Sequence, residues 1–182
     1  VLLTVLSCAS ESDLSKGSQG DVAIKINMQV PSQTNVSTRA TTLSGNESTV
    51  NNLTELIFNS DKDKKLIGYG YSASPTSTGT NTYQMTVNTR EATGCMVYVV
   101  ANAGTNAFAE VNTLDEFKQQ SVTLSAASDL AAQSSVVMQG VSATSQDITS
   151  STETLATPIP LYRLCTKMNF NIIPASNITI TG

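Results

Sequence analysis

"DVAIKINMQV", Asp21 to Val30, decides the fold. Val22, Ile24, Ile26, Met28 and Val30 fall on one side of an extended chain, and Ala23, Lys25, Asn27 and Gln29 on the other. Alternation with a period of two makes one apolar and one wet face, the signature of a half-buried β-strand. Pro31 lacks an amide proton and ends the run. The five apolar residues are therefore candidate core.

Further strands follow downstream. Leu53–Phe58 and Leu66–Tyr71 read as the two arms of a hairpin, with the charged run Asp61–Lys65 as its solvated tip. "SASPTSTGTN", starting at Ser72, reads as a neutral loop. "TYQMTVNT" alternates again, with Tyr83, Met85 and Val87 sharing a face. "CMVYVVANAG", from Cys95, is a continuous apolar run ended by Asn102 and Gly104, which predicts a central strand buried on both faces. Thr113 followed by Asp115 and Glu116 predicts an N-cap and the first turn of a short helix. Ser125–Ser135 reads as either a second short helix or a loop. "VVMQG" is a short apolar element, and the sixteen residues from Ser142 to Thr157 read as a long exposed loop. "PIPLYRLCTKMNFNII" predicts one long strand with Tyr162, Leu164, Thr166, Met168, Phe170 and Ile172 on its apolar face, and "NITITG" one more. Seven or eight strands with one or two short helices predict an all-β protein, an antiparallel β-sandwich. No internal repeat is evident.

Upstream, "VLLTVLSCAS" places an apolar run and the small Ser7 directly before Cys8. This resembles the end of a bacterial lipoprotein signal, in which the thiol of the Cys is acylated and becomes the membrane anchor. The run is too short to span a bilayer. The polar, Gly-containing stretch after Cys8 reads as a flexible tether. Between the first strand and the hairpin lies "QVPSQTNVSTRATTLSG", Gln29 to Gly45, whose one charge is Arg39, followed by the small Ala40. An arginine alone in a neutral Ser/Thr-rich loop is either a solvated side chain or a cut site.

The totals narrow the function. The chain has 182 residues, 13% of them charged, a net charge of −4, no Trp and no His. Ten scattered basic residues do not make a phosphate-binding surface, so no nucleic-acid partner is expected. Without His there is no imidazole base or imidazole metal ligand. No phosphate-binding glycine loop and no C-x-x-C pair occurs, so neither catalytic residues nor cofactor nor metal is expected. Cys95 and Cys165 both lie in apolar strands, where core filling is the commoner role and a disulfide the alternative.

The order of parts carries a resemblance: a lipobox Cys, a tether, an alternating strand, "STRATT" ahead of "LTELIFNSDKDKKLIGY", then "VYVVANAG", then "IPLYRLCTKMNFNI". This resembles the FimA-like fimbrial subunits (fimbrilins, type V pilins) of the Bacteroidales. The resemblance implies a transthyretin-like Greek-key β-sandwich of about seven strands. It implies residues 1–8 as a signal remnant with the lipobox, 9–39 as a prosegment containing a removable first strand, and 40–182 as an N-terminal sandwich domain. It also implies a second β-domain beyond Gly182; Val1 and "NITITG" both look like cut ends. The family's precursors are exported as lipoproteins, which implies lipidation at Cys8 and an outer-membrane location before processing. A surface arginine-specific, gingipain-like protease then cuts, here at Arg39–Ala40. Loss of Val22, Ile24, Ile26, Met28 and Val30 leaves a groove that a strand of the next subunit fills by donor-strand exchange. The implied partners are other copies of the subunit and accessory fimbrial proteins, and the implied function is a structural subunit of a cell-surface fimbria supporting adhesion. The alternatives are an anchor or tip adhesin of the same family, or a surface glycan-binding lipoprotein, against which the absence of Trp counts.

Overall fold

The computed structural model describes residues 22–31, 48–120 and 135–164. These form a two-layer all-β sandwich, as the alternation predicts. The first sheet has the order β4-β5-β1-β9, from Thr76–Gly79, Thr82–Thr89, Val22–Gln29 and Ile159–Pro160. The second has the order β10-β7-β6-β2-β3, from Tyr162–Arg163, Met138–Val141, Ala92–Ala101, Leu53–Phe58 and Leu66–Ser72. β8, Gln146–Ile148, pairs with the beginning of β6. Pairing is antiparallel except for the contact of β1 with β9, which is parallel. The main core lies between the sheets and joins Val22, Ile24, Ile26, Met28 and Val30 to Leu53, Ile57, Val97, Val99, Met138, Ile159 and Leu161.

The predicted hairpin and central strand are both present, though β6 is buried on both faces only over Val99–Ala101, Met96 and Tyr98 being half-buried. β6 occupies the middle of the second sheet, with β2 on one side and β7 and β8 on the other. Asn102, just past its end, has φ 64° and ties three segments together. Its amide donates to the carbonyls of Thr49 and Val136 and its Oδ1 accepts from the N–H of Asn51, each at 2.8 Å.

β2 is buried along its whole length. Its outer face is covered by α1, Leu114–Lys118, and the turn before it, which together form a second cluster of Leu56, Phe58, Val100, Phe108, Val111, Leu114 and Phe117. The helix starts as the sequence predicts: Thr113 Oγ1 accepts from the N–H of Glu116, whose carboxylate accepts from the N–H of Asn112. The N–H of Leu114 then donates to the Lys64 carbonyl, docking the helix on the hairpin.

Three expectations are corrected. The neutral loop after Ser72 contains a strand, β4, paired with β5 although all four of its residues are exposed. Backbone pairing and a Thr78 Oγ1 to Thr82 Oγ1 hydrogen bond hold it, so no hydrophobic pattern announces it. The presumed exposed loop 142–157 contains β8 and lodges Ile148 and Leu155 in the core. The expected long final strand is, in its described part, two short ones that change sheets at Leu161. Ile159 and Leu161 face inward while Tyr162 and Leu164 are 62% and 60% exposed, the reverse of the expected face. Its remainder from Cys165, the "NITITG" strand and residues 125–134 lie outside the described residues. Cys95 is a buried free thiol, and burial, its main perturbation, pushes it above its ordinary range; its proposed partner Cys165 lies outside them too.

Candidate functional site

β1 sits inside a sheet, yet its two edges are held unequally. On one edge all eight residues pair with β5, from Val22 opposite Thr89 to Gln29 opposite Thr82, and the N–H of Val30 reaches the Asn81 carbonyl at 2.9 Å. On the other edge it pairs with β9 only at Met28 and Gln29. Beyond that, Lys25 donates to the carbonyl of Glu153 and accepts from the N–H of Leu155, and Gln29 accepts from the N–H of Leu161.

The five inward side chains are as the alternation requires: Ile24, Ile26 and Met28 are fully buried, with Val22 and Val30 nearly so. Each contributes about 1.5–3 kcal/mol when removed from water. The outward face is wet. Ala23, Lys25 and Gln29 are exposed, and Asn27 accepts from the Gln84 amide at 2.9 Å. β1 therefore seals one face only, and a slot remains between β5 and β9 if it leaves. The slot is lined by the apolar floor of the second sheet and walled by backbone groups ready to pair with an extended strand.

The floor of that slot holds one residue that the sequence reading passed over. Glu55 lies at the centre of β2, on the same face as Leu53 and Ile57, and is fully buried. Neither carboxyl oxygen has a hydrogen-bond partner among the described residues, and burial raises its pKa well above the ordinary glutamate value. The available signal was parity: in "LTELIF" the Glu shares the phase of Leu53 and Ile57. Cys8, Arg39 and Ala40 lie outside the described residues. Arg39 and Ala40 fall in the segment between Pro31 and Ser48, so a cut there leaves β1 bound to the rest of the sandwich by non-covalent contacts alone.

A family profile described as major fimbrial subunit protein (FimA) matches residues 21–171. No curated protein matches the sequence significantly. Among solved structures, a candidate cell adhesion protein from Parabacteroides distasonis superposes with a TM-score of 0.56 at 20% identity, over 79% of this chain and 46% of that one. A fimbrilin from Porphyromonas gingivalis superposes at 0.54 with 16% identity, over 80% and 40% of the two chains. The tip fimbrial protein Mfa3 of the same organism gives 0.53 at 17% identity, over 79% and 48%. At these identities the likeness shows the fold, and the chain spans less than half the length of each of these structures.

Proposed function

The chain belongs to the major fimbrial subunit (FimA) family, and from that premise we propose that it is the precursor form of a structural subunit of a cell-surface fimbria. The family is one of structural fimbrial subunits, not of enzymes. In this reading Cys8 carries the lipid that holds the exported precursor at the outer membrane. An arginine-specific surface protease cuts Arg39–Ala40, β1 leaves with the prosegment, and a strand of another subunit takes its place. β1 is then a placeholder that keeps the slot closed until assembly.

One observation carries this: β1 is an interior strand whose buried side chains all lie on one face and whose pairing lies mostly on one edge. Such a strand can be exchanged for another with the same alternation without disturbing the second core under α1. The neutral Ser/Thr-rich sequence around Arg39 supports the cut, because no other charged side chain between Gln29 and Gly45 competes for an arginine-specific pocket. Arg39 also favours a stalk subunit over a lipid-retaining anchor.

The experiment is Arg39→Ala in cells labelled with a palmitate analogue. The variant is expected to accumulate as a full-length, labelled, unpolymerised precursor, while the wild type yields unlabelled polymer ladders. Normal ladders from the variant remove Arg39 from the mechanism. A precursor without label, or label retained by Cys8→Ser, places the anchor elsewhere.

A further inference from the structure

Glu55 can be located relative to β1 from the pairing of both sheets. Across the second sheet, Glu55 is flanked by Gly70 on β3 and Val99 on β6, and Val99 is flanked by Gly140 on β7. The row therefore reads Gly70, Glu55, Val99, Gly140. The two glycines are places where the first sheet comes close. A Cβ on Gly70 would lie 2.8 Å from Met85 Cε and from a methyl of Val87, both on β5. A Cβ on Gly140 would lie 2.4 Å from the Pro160 carbonyl and 2.7 Å from a methyl of Ile159, on β9. The ends of the row thus lie against β5 and β9, and β1 runs between those two strands. Glu55 lies beneath β1. Met85 and Val87 pair with Ile26 and Ile24, and Ile159 pairs with Met28, so the level of the carboxyl is that of Ile26.

Every inward residue of β1 is apolar, so β1 offers this carboxyl no donor. Around it stand Leu53, Ile57 and Val99, all fully buried and equally unable to bond. We propose that Glu55 is the recognition residue of the slot: the strand of a second subunit that replaces β1 carries an inward hydrogen-bond donor at the level of Ile26, and this donor pairs with Glu55. The inference rests on the strand-replacement reading given above. It makes the placeholder a deliberate mismatch at one position and gives the incoming strand its register. A slip by one residue turns the donor to solvent, and a slip by two lays an apolar side chain over the carboxyl. A single buried polar pair fixing register is the best-attested use of such groups.

The test uses the full chain, with a lysine at the level of Ile26 as the probe donor. Ile26→Lys is made in the wild type, in Glu55→Leu and in the near-isosteric Glu55→Gln. The folding equilibrium constant is expected to fall about tenfold less in the wild type than in the Glu55→Leu background. Glu55→Gln gives the same sign should the leucine variant not fold. Equal losses in all backgrounds overturn the proposal. In a second arm, Glu55→Leu precursor is expected to be at least as stable as wild type, while its polymers lose thermal and detergent resistance. Polymers of unchanged resistance also overturn it. If the wild type itself forms no polymers after cleavage, the strand-replacement reading falls instead, and the coupling in the uncut chain still reports whether Glu55 accepts a donor from above.

Discussion

β1 and β2 are both interior strands, and they are held in opposite ways. β1 is paired fully with β5 and sparsely with the 153–161 segment, and its outward face is wet. β2 is paired along its whole length with β3 on one edge and β6 on the other. Its inner face meets the inter-sheet core and its outer face the aromatic cluster under α1. In that cluster Phe117 stacks edge-on to Tyr98 and Phe108, with ring centroids 5.3 and 5.4 Å apart. Removing β1 opens one core from one side; removing β2 destroys two. The two strands differ in the number of faces they seal and edges they close, not in how well their inward residues are buried, since Ile24, Ile26, Leu53 and Ile57 are all at 0% exposure; on the proposed reading, that difference is what makes β1 replaceable and β2 permanent.

The largest expected effects put that contrast under strain directly. Ile57→Asp buries an unpaired carboxylate in β2 at a cost of about 4 kcal/mol or more. No folded chain is expected either before or after cleavage, as read by thermal unfolding and limited proteolysis. Ile24→Asp with Ile26→Asp places comparable charges in β1. The uncut precursor should be similarly weakened, yet polymers built from chains starting at Ala40 should match wild type in thermal and detergent resistance. Weakened polymers from the β1 double variant would make β1 as permanent as β2. Phe117→Ala is a smaller perturbation, about 3 kcal/mol from lost burial and the cavity left. It lies on the permanent side of the molecule, so precursor and polymer should lose stability together; loss in the precursor alone would tie α1 to the exchange.

The smallest effect concerns Glu55. Its folded-state pKa is raised by burial, so the folded chain prefers it protonated. The associated stability is complete below the unfolded pKa of about 4.3 and is lost as pH rises towards the raised folded value. Urea unfolding of wild type and Glu55→Gln should therefore diverge above that pH in favour of the glutamine variant, by up to about 1.4 kcal/mol per pH unit until the folded pKa is reached. A difference independent of pH would mean the carboxyl is solvated in the folded chain.

How much of this was legible follows from which residues carry a period. β1 was readable because only one of its faces is buried, which writes the alternation directly into Val22–Val30. The hairpin and the capped helix were readable from turn charges and from Thr113. β4 was not, because all four of its residues are exposed and it is held by backbone pairing and a Thr78–Thr82 hydroxyl bond rather than by apolar burial. β8 and the Leu155 contact were hidden because one or two apolar residues in a polar stretch make no period, although Ile148 and Leu155 are buried. The face of the final segment was misread because the chain changes sheets at Leu161, and alternation assumes one sheet throughout. Glu55 was overlooked because a strand buried on both faces has no polar side to contrast it with.

The central claim is that β1 is a placeholder absent from the finished fibre. Mass spectrometry of polymers purified from the cell surface tests it most directly, by identifying the subunit N-terminus and measuring the Asp21–Val30 peptide against a peptide of β2. The account predicts an N-terminus at Ala40 and no Asp21–Val30. Asp21–Val30 present in equal amount with β2, whether still attached or retained after the cut, would contradict it.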